Sequence, residues 1–127
     1  MKKVTFYVRP KGYSNGTESA YETTYEWNAD HPTEWFLQYY DKLIEMVKKS
    51  DKTAEFVEAR IACKPTHGFT KALLEKIGQE VASVWGAVCT SVKCFLNSVE
   101  FHCNEYGEKF TTLMTYDEIK QEYSYML

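Results

Sequence analysis

A chain of 127 residues with 44% hydrophobic and 26% charged residues has the makeup of a globular domain, which excludes a disordered segment. The formal charge of −3 and the presence of only two arginines, Arg9 and Arg60, argue against a dedicated nucleic-acid binder. No run approaches the roughly 20 apolar residues that span a bilayer.

The N-terminus passes from Lys2-Lys3 directly into alternation, without the apolar stretch of a signal peptide, so the expectation is a cytoplasmic protein with reduced thiols. Residues 1–27 read as a β-hairpin about Asn15-Gly16, the strongest two-residue turn signal. Folding there sets Val4 opposite Trp27, Phe6 opposite Tyr25, Val8 opposite Thr23 and Arg9 opposite Glu22. One face is then apolar and the other carries Thr5, Tyr7, Glu22, Thr24 and Glu26. Pro10 starts an irregular tip.

Asp30 and Pro32 open a helix whose apolar stripe runs from Trp35 and Phe36 through Leu43 and Val47. Val57, Ala59, Ile61 and Cys63 alternate as a half-buried strand that ends at Pro65. A second helix follows, with Phe69, Leu73, Leu74, Ile77, Val81, Val84, Trp85 and Val88 on one stripe. Residues 89–97 fit frayed helix, loop or short strand equally. Val99, Phe101 and Cys103 form another strand, and the Tyr106-Gly107 turn returns it so that Phe110 and Thr112 share the face of Phe101. Thr115 and Glu118 make a capping box for a C-terminal helix. The predicted order is β-β-α-β-α-β-β-α. It implies one α+β domain over residues 1–127: a largely antiparallel, mixed sheet of about five strands, two main helices packed on it, and a short terminal helix.

The most suggestive segment is Lys64-Pro65-Thr66-His67-Gly68-Phe69-Thr70-Lys71, between a strand and a helix start. Free N–H groups and the helix dipole favour an anion there, and Lys64, Thr66, His67, Gly68, Thr70 and Lys71 are the expected ligand set. The spaced glycines of a phosphate loop are missing, and a capped connection with solvated lysines accounts for the same residues. Cys89, Cys94, His102 and Cys103 offer four zinc-ligand types, but their spacing lacks close pairs, so buried thiols and no metal are expected. His31, His67 and His102 lie on separate elements and outside catalytic signatures, which gives no basis for an enzyme and implies no cofactor.

Ten tyrosines in a 16% aromatic chain favour recognition, since tyrosine covers much area at little entropic cost. The leading expectation is therefore a non-enzymatic protein that binds another protein through Tyr7, Lys11, Tyr13, Asn15, Tyr123 and Tyr125. Small phage and mobile-element inhibitors of host factors share this makeup, an analogy of type that no residue carries. The apolar C-terminal segment also suits a homo-oligomer contact. The alternative expectation is an oligomeric, sequestering binder of a nucleotide or other phosphate-bearing small molecule at residues 64–71.

Overall fold

A computed structural model describes residues 2–10, 20–27 and 40–127. They form β1 (Lys2–Pro10), β2 (Tyr21–Trp27), α1 (Tyr40–Ser50), β3 (Ala54–Ala59), α2 (Lys71–Ser83), β4 (Val88–Cys94), β5 (Ser98–Glu105), β6 (Glu108–Thr115) and α3 (Tyr116–Glu122), ending in a 3-10 turn at Ser124–Met126. The chain divides into two compact units at Arg60 and Ile61. The α+β class is as expected. The single five-stranded sheet is not: the strands form two antiparallel three-stranded sheets, ordered β2-β1-β3 and β4-β5-β6. The predicted order also lacks β4.

In the first unit β1 is the central strand, paired with β2 on one side and β3 on the other. Val4 stands opposite Tyr25, and Phe6 opposite Thr23, so the hairpin is offset by two residues from the predicted register. A two-residue offset preserves the face of every side chain, which is why the apolar face was assigned correctly. Glu22 consequently faces Tyr7 instead of Arg9, and the Glu22 carboxylate lies 3.5 Å from the Arg60 guanidinium. The Asn15-Gly16 turn and the start of the first helix at Asp30 lie outside the described residues. The core gathers Phe6 and Val8 from β1, Val57 and Ala59 from β3, and Leu43 and Val47 from α1. The second face of β1 is buried as well: Tyr7 and Arg9 are 7% and 6% exposed, and Glu58 of β3 is 2% exposed. The guanidinium of Arg9 sits 5.4 Å from the ring centre of Phe56, and that of Arg60 sits 5.7 Å from the Tyr7 ring.

In the second unit the strands form a meander. Glu105 and Glu108 close the β5–β6 hairpin around Tyr106 and Gly107, whose φ values of 50° and 91° are those of a primed turn. Phe101 faces Thr112 and Cys103 faces Phe110, as predicted. Helix α2 covers this face with Leu74, Ile77 and Val81, against Val99, Phe101, Cys103 and Met114. At Gly78 the helix comes so close that a Cβ would lie 2.7 Å from the Cys89 sulfur and 3.2 Å from Phe101. Helix α2 stops earlier than its apolar stripe suggests. The Gly86 N–H donates to Ser83 and the Ala87 N–H to Ala82, with Gly86 at φ 66°, which is a Schellman stop. Val84, Trp85 and Val88, expected on the buried stripe, are therefore exposed. The capping box of α3 is present, with both Thr115–Glu118 bonds at 2.9 and 3.1 Å. Among the described residues no helix is long and apolar enough to cross a membrane.

Candidate functional site: a groove lined by three lysines

Residues 61–70 leave the first unit's last strand and run beside β4. The Cys63 N–H donates to the Cys94 carbonyl at 3.0 Å, which lays this segment along the edge of β4. A tight turn then reverses the chain. Phe69 N–H donates to Thr66 O at 3.1 Å, and His67 and Gly68 take left-handed φ values of 57° and 82°. Gly68 suits that conformation, whereas a histidine adopts it at some strain.

The turn is fastened to the start of α3 and to the β4–β5 connection. The Thr66 hydroxyl donates to Leu96 O at 2.8 Å, and the Thr66 N–H donates to the Tyr116 hydroxyl at 3.2 Å. The His67 ring stacks on Tyr116 at 4.7 Å between centres, with its Nε2 3.2 Å from Asn97 Oδ1. Burial raises the Tyr116 phenol above its ordinary pKa, with the Thr66 bonds opposing that rise, so Tyr116 stays a neutral structural post at neutral pH. Thr70 caps α2, its hydroxyl accepting from the Leu73 N–H at 3.2 Å.

Four of the six expected anion ligands thus have structural duties: Thr66, His67, Gly68 and Thr70 build and fasten the turn. Lys64 and Lys71 do not share those duties. They line one cavity of about 440 Å³, and Lys93 of β4 lines it too. Pro65 and Val92 supply apolar wall, and Ala62, Cys63 and Cys94 also line it. Burial raises the Cys94 thiol pKa, opposed first by a hydrogen bond with Tyr116 and then by the Lys71 charge. Lys93 was missed from the sequence because residues 88–94 were not recognised as a strand. Its nitrogen also lies 5.7 Å from the centre of the Phe95 ring.

A second polar cluster occupies the face of the β4-β5-β6 sheet away from α2. Glu100 and His102, two apart on β5, share that face, and Glu100 Oε1 lies 2.6 Å from His102 Nε2. His102 Nδ1 is 3.5 Å from the Thr111 hydroxyl on β6. His102 and Thr111 border a cavity of about 310 Å³. A carboxylate, an imidazole and a hydroxyl in a row are the parts of an activated nucleophile. At 3.5 Å the Thr111 contact is at the outer limit of a hydrogen bond, so the row reads as a clamp that fixes the imidazole across two strands. The i,i+2 spacing of Glu100 and His102 was a legible signal. The arrival of Thr111 depended on register.

The residues expected to contact a protein partner are not gathered in one place. Tyr7 is buried in the central strand, contrary to the expectation of an exposed tyrosine, with its ring packed against Phe56 of β3 and beside the Arg60 guanidinium. Lys11, Tyr13 and Asn15 lie outside the described residues. Tyr123 packs, partly buried, on the second core, and Tyr125 beside it is exposed, with ring centres 6.2 Å apart. Cys89, Cys94 and Cys103 are buried, and Cys63 is exposed. Among the described residues no three His, Cys, Asp or Glu side chains converge as metal ligands. No protein-family model, curated protein or solved structure matches this chain.

Proposed function

We propose that this chain is a binding protein whose ligand is a small phosphate-bearing molecule, held in the groove of Lys64, Lys71 and Lys93. One observation carries the reading: lysines from a loop, a helix and a strand are among the residues lining a single cavity in a chain of net charge −3. Three like charges around one concavity repel one another, and a bound anion relieves that repulsion while collecting several charge-assisted hydrogen bonds. Lys71 also stands in the first turn of α2, where the helix dipole adds attraction for negative charge. The apolar wall of Pro65 and Val92 suits a ligand with a non-polar body, and the volume fits the range of small-molecule pockets.

The test is thermal unfolding with inorganic pyrophosphate and with ATP, in the unmodified chain and in a Lys71→Ala/Lys93→Ala variant. A ligand at a hundred times its dissociation constant stabilises by about 2.7 kcal/mol. The stabilisation is expected in the unmodified chain, to weaken as salt rises, and to vanish in the variant. An equal shift in both proteins would remove the groove as the site.

A protein partner is the second reading, and a different observation favours it. Val84, Trp85 and Val88 are exposed where α2 passes into β4, and Tyr106 is 96% exposed on the β5–β6 turn. Val88 pairs with Asn104, two residues from Tyr106, so both lie at one end of the second unit. If neither pyrophosphate nor ATP moves the unfolding midpoint, this apolar end becomes the preferred contact.

A further inference from the structure

The four thiols are not equivalent, and two of them stand face to face. Cys89 of β4 and Cys103 of β5 are direct partners in the antiparallel register. The Cys89 N–H donates to Gln79 Oε1 at 3.3 Å, and the Cys89 carbonyl accepts from Gln79 Nε2 at 2.9 Å. With its N–H committed to α2, Cys89 forms a pair of the non-hydrogen-bonded kind with Cys103. In such pairs the Cα atoms are about 4.5 Å apart and the side chains are close, inside the roughly 4.4–6.8 Å range that a disulfide spans. Both side chains lie in the core cluster under α2, where the Cys89 thiol donates to Ser91 O at 3.5 Å and the Cys103 thiol to Phe101 O at 3.8 Å. Each also reaches a surface depression. Cys89 borders one of about 270 Å³ with Glu75 and Gln79, and Cys103 borders the one of about 310 Å³ beside His102.

We infer that Cys89 and Cys103 are a cross-strand dithiol that a hydroperoxide-class oxidant closes to a disulfide. In the first step the Cys89 sulfur, on the edge strand and the more exposed of the two, attacks a peroxide oxygen. The O–O bond breaks, an S–O bond forms, and the departing oxygen leaves as water with the thiol's proton. Cys103 sulfur then attacks the sulfenic sulfur, the S–S bond forms, and the second oxygen leaves as water. Two thiols are oxidised by two electrons and one hydrogen peroxide is reduced to two waters. Burial pushes Cys103 up to about 11 and raises Cys89 as well, so little thiolate exists at neutral pH and closure is slow there. Closure speeds up as pH rises, because each step consumes a thiolate. The register shift immediately after Cys89, between Cys89 and Ser91, gives β4 a local irregularity where the sulfur must reposition.

The experiment treats the whole chain with hydrogen peroxide, alkylates the remaining thiols in denaturant with iodoacetamide, and maps the peptides by mass spectrometry. The expected result is a Cys89–Cys103 linked peptide, two fewer alkylated cysteines, and restoration of both by dithiothreitol. In Cys103→Ala the link is lost, and Cys89 is instead trapped by dimedone as the sulfenic acid. A link that joins Cys63 to Cys94 in place of Cys89 to Cys103 would overturn the inference, since Cys63 and Cys94 are also neighbours. So would full alkylation of Cys89 and Cys103 in a chain whose circular dichroism shows it folded throughout the treatment.

Discussion

The two sheets have the same strand count and the same antiparallel sense, yet they are assembled in different ways. In the β4-β5-β6 sheet every strand pairs with the next one in the chain, and short turns close each pair. In the β2-β1-β3 sheet the central strand is the first, and β3 reaches it only after α1 has been laid down. The first arrangement needs local contacts; the second must close a loop of about 50 residues between Phe6 and Ala59 before their pairing yields anything. Both sheets bury polar side chains: Arg9 and Glu58 in the first unit, and Ser98, Glu100 and Thr112 in the second. Two sheets of equal size can therefore differ in how early their cores form.

The largest expected effect tests whether the two central strands are equally deep. Phe6 of β1 and Phe101 of β5 are both 0% exposed. Truncating either to alanine is expected to cost about 3–5 kcal/mol, read by denaturant unfolding and by loss of amide protection in the strands that flank it. A cost under about 1 kcal/mol at Phe6 alone would mean that the first sheet tolerates a void that the meander does not. A middle-sized effect belongs to the second unit only. Gly78→Ala places a methyl 2.7 Å from the Cys89 sulfur, and overpacking of this kind costs about 1–3 kcal/mol, partly offset by about 1 kcal/mol of helix propensity. The net loss is expected to shrink in Gly78→Ala/Cys89→Ala, where the clashing sulfur is gone. An undiminished loss in the double variant would show that backbone, and not the thiol, sets the helix–sheet distance.

The smallest effect belongs to the first unit. Asp51, just after α1, accepts from the Thr53 hydroxyl and N–H at 2.6 and 2.9 Å and from the Tyr21 hydroxyl of β2 at 2.6 Å. The Thr53 hydroxyl first, then Tyr21 and the Thr53 N–H, hold its carboxyl below the usual carboxylate range. A depressed folded value means the stabilisation is complete above the ordinary carboxylate pKa and fades as pH falls through the lowered one. The Asp51 midpoint, followed by NMR titration, is expected to rise in Thr53→Ala and by less in Tyr21→Phe. An unmoved midpoint in both would remove this latch from the first unit.

The sequence carried the local features and little of the pairing. Turn, cap and alternation signals located the β1–β2 and β5–β6 hairpins, α1, α2 and the capping box at Thr115. The strand β4 escaped because its core-facing residues Cys89, Val92 and Cys94 are spaced by three and then by two. The irregularity between Cys89 and Ser91 causes this, and it erases the period that marks a strand. The division into two sheets was not legible because alternation shows which face of a strand is apolar and says nothing of which edge meets which. Of the candidate groove, Lys64 and Lys71 were found through their place at a helix start. Lys93 depended on the unrecognised strand, and the true tasks of Thr66 and His67 depended on Tyr116, some 50 residues further along.

Strand β4 lies at the border of its sheet, and its outer side is met by the segment around Cys63 through the bond to Cys94. A bare strand border is a template on which another copy of the same chain can add itself. The run before α2 thus covers part of that border at Cys94. Pro65, which has no N–H to offer, ends that run just beyond Cys63. A single backbone bond at Cys63 thus occupies a carbonyl on the sheet border that an added strand could otherwise take.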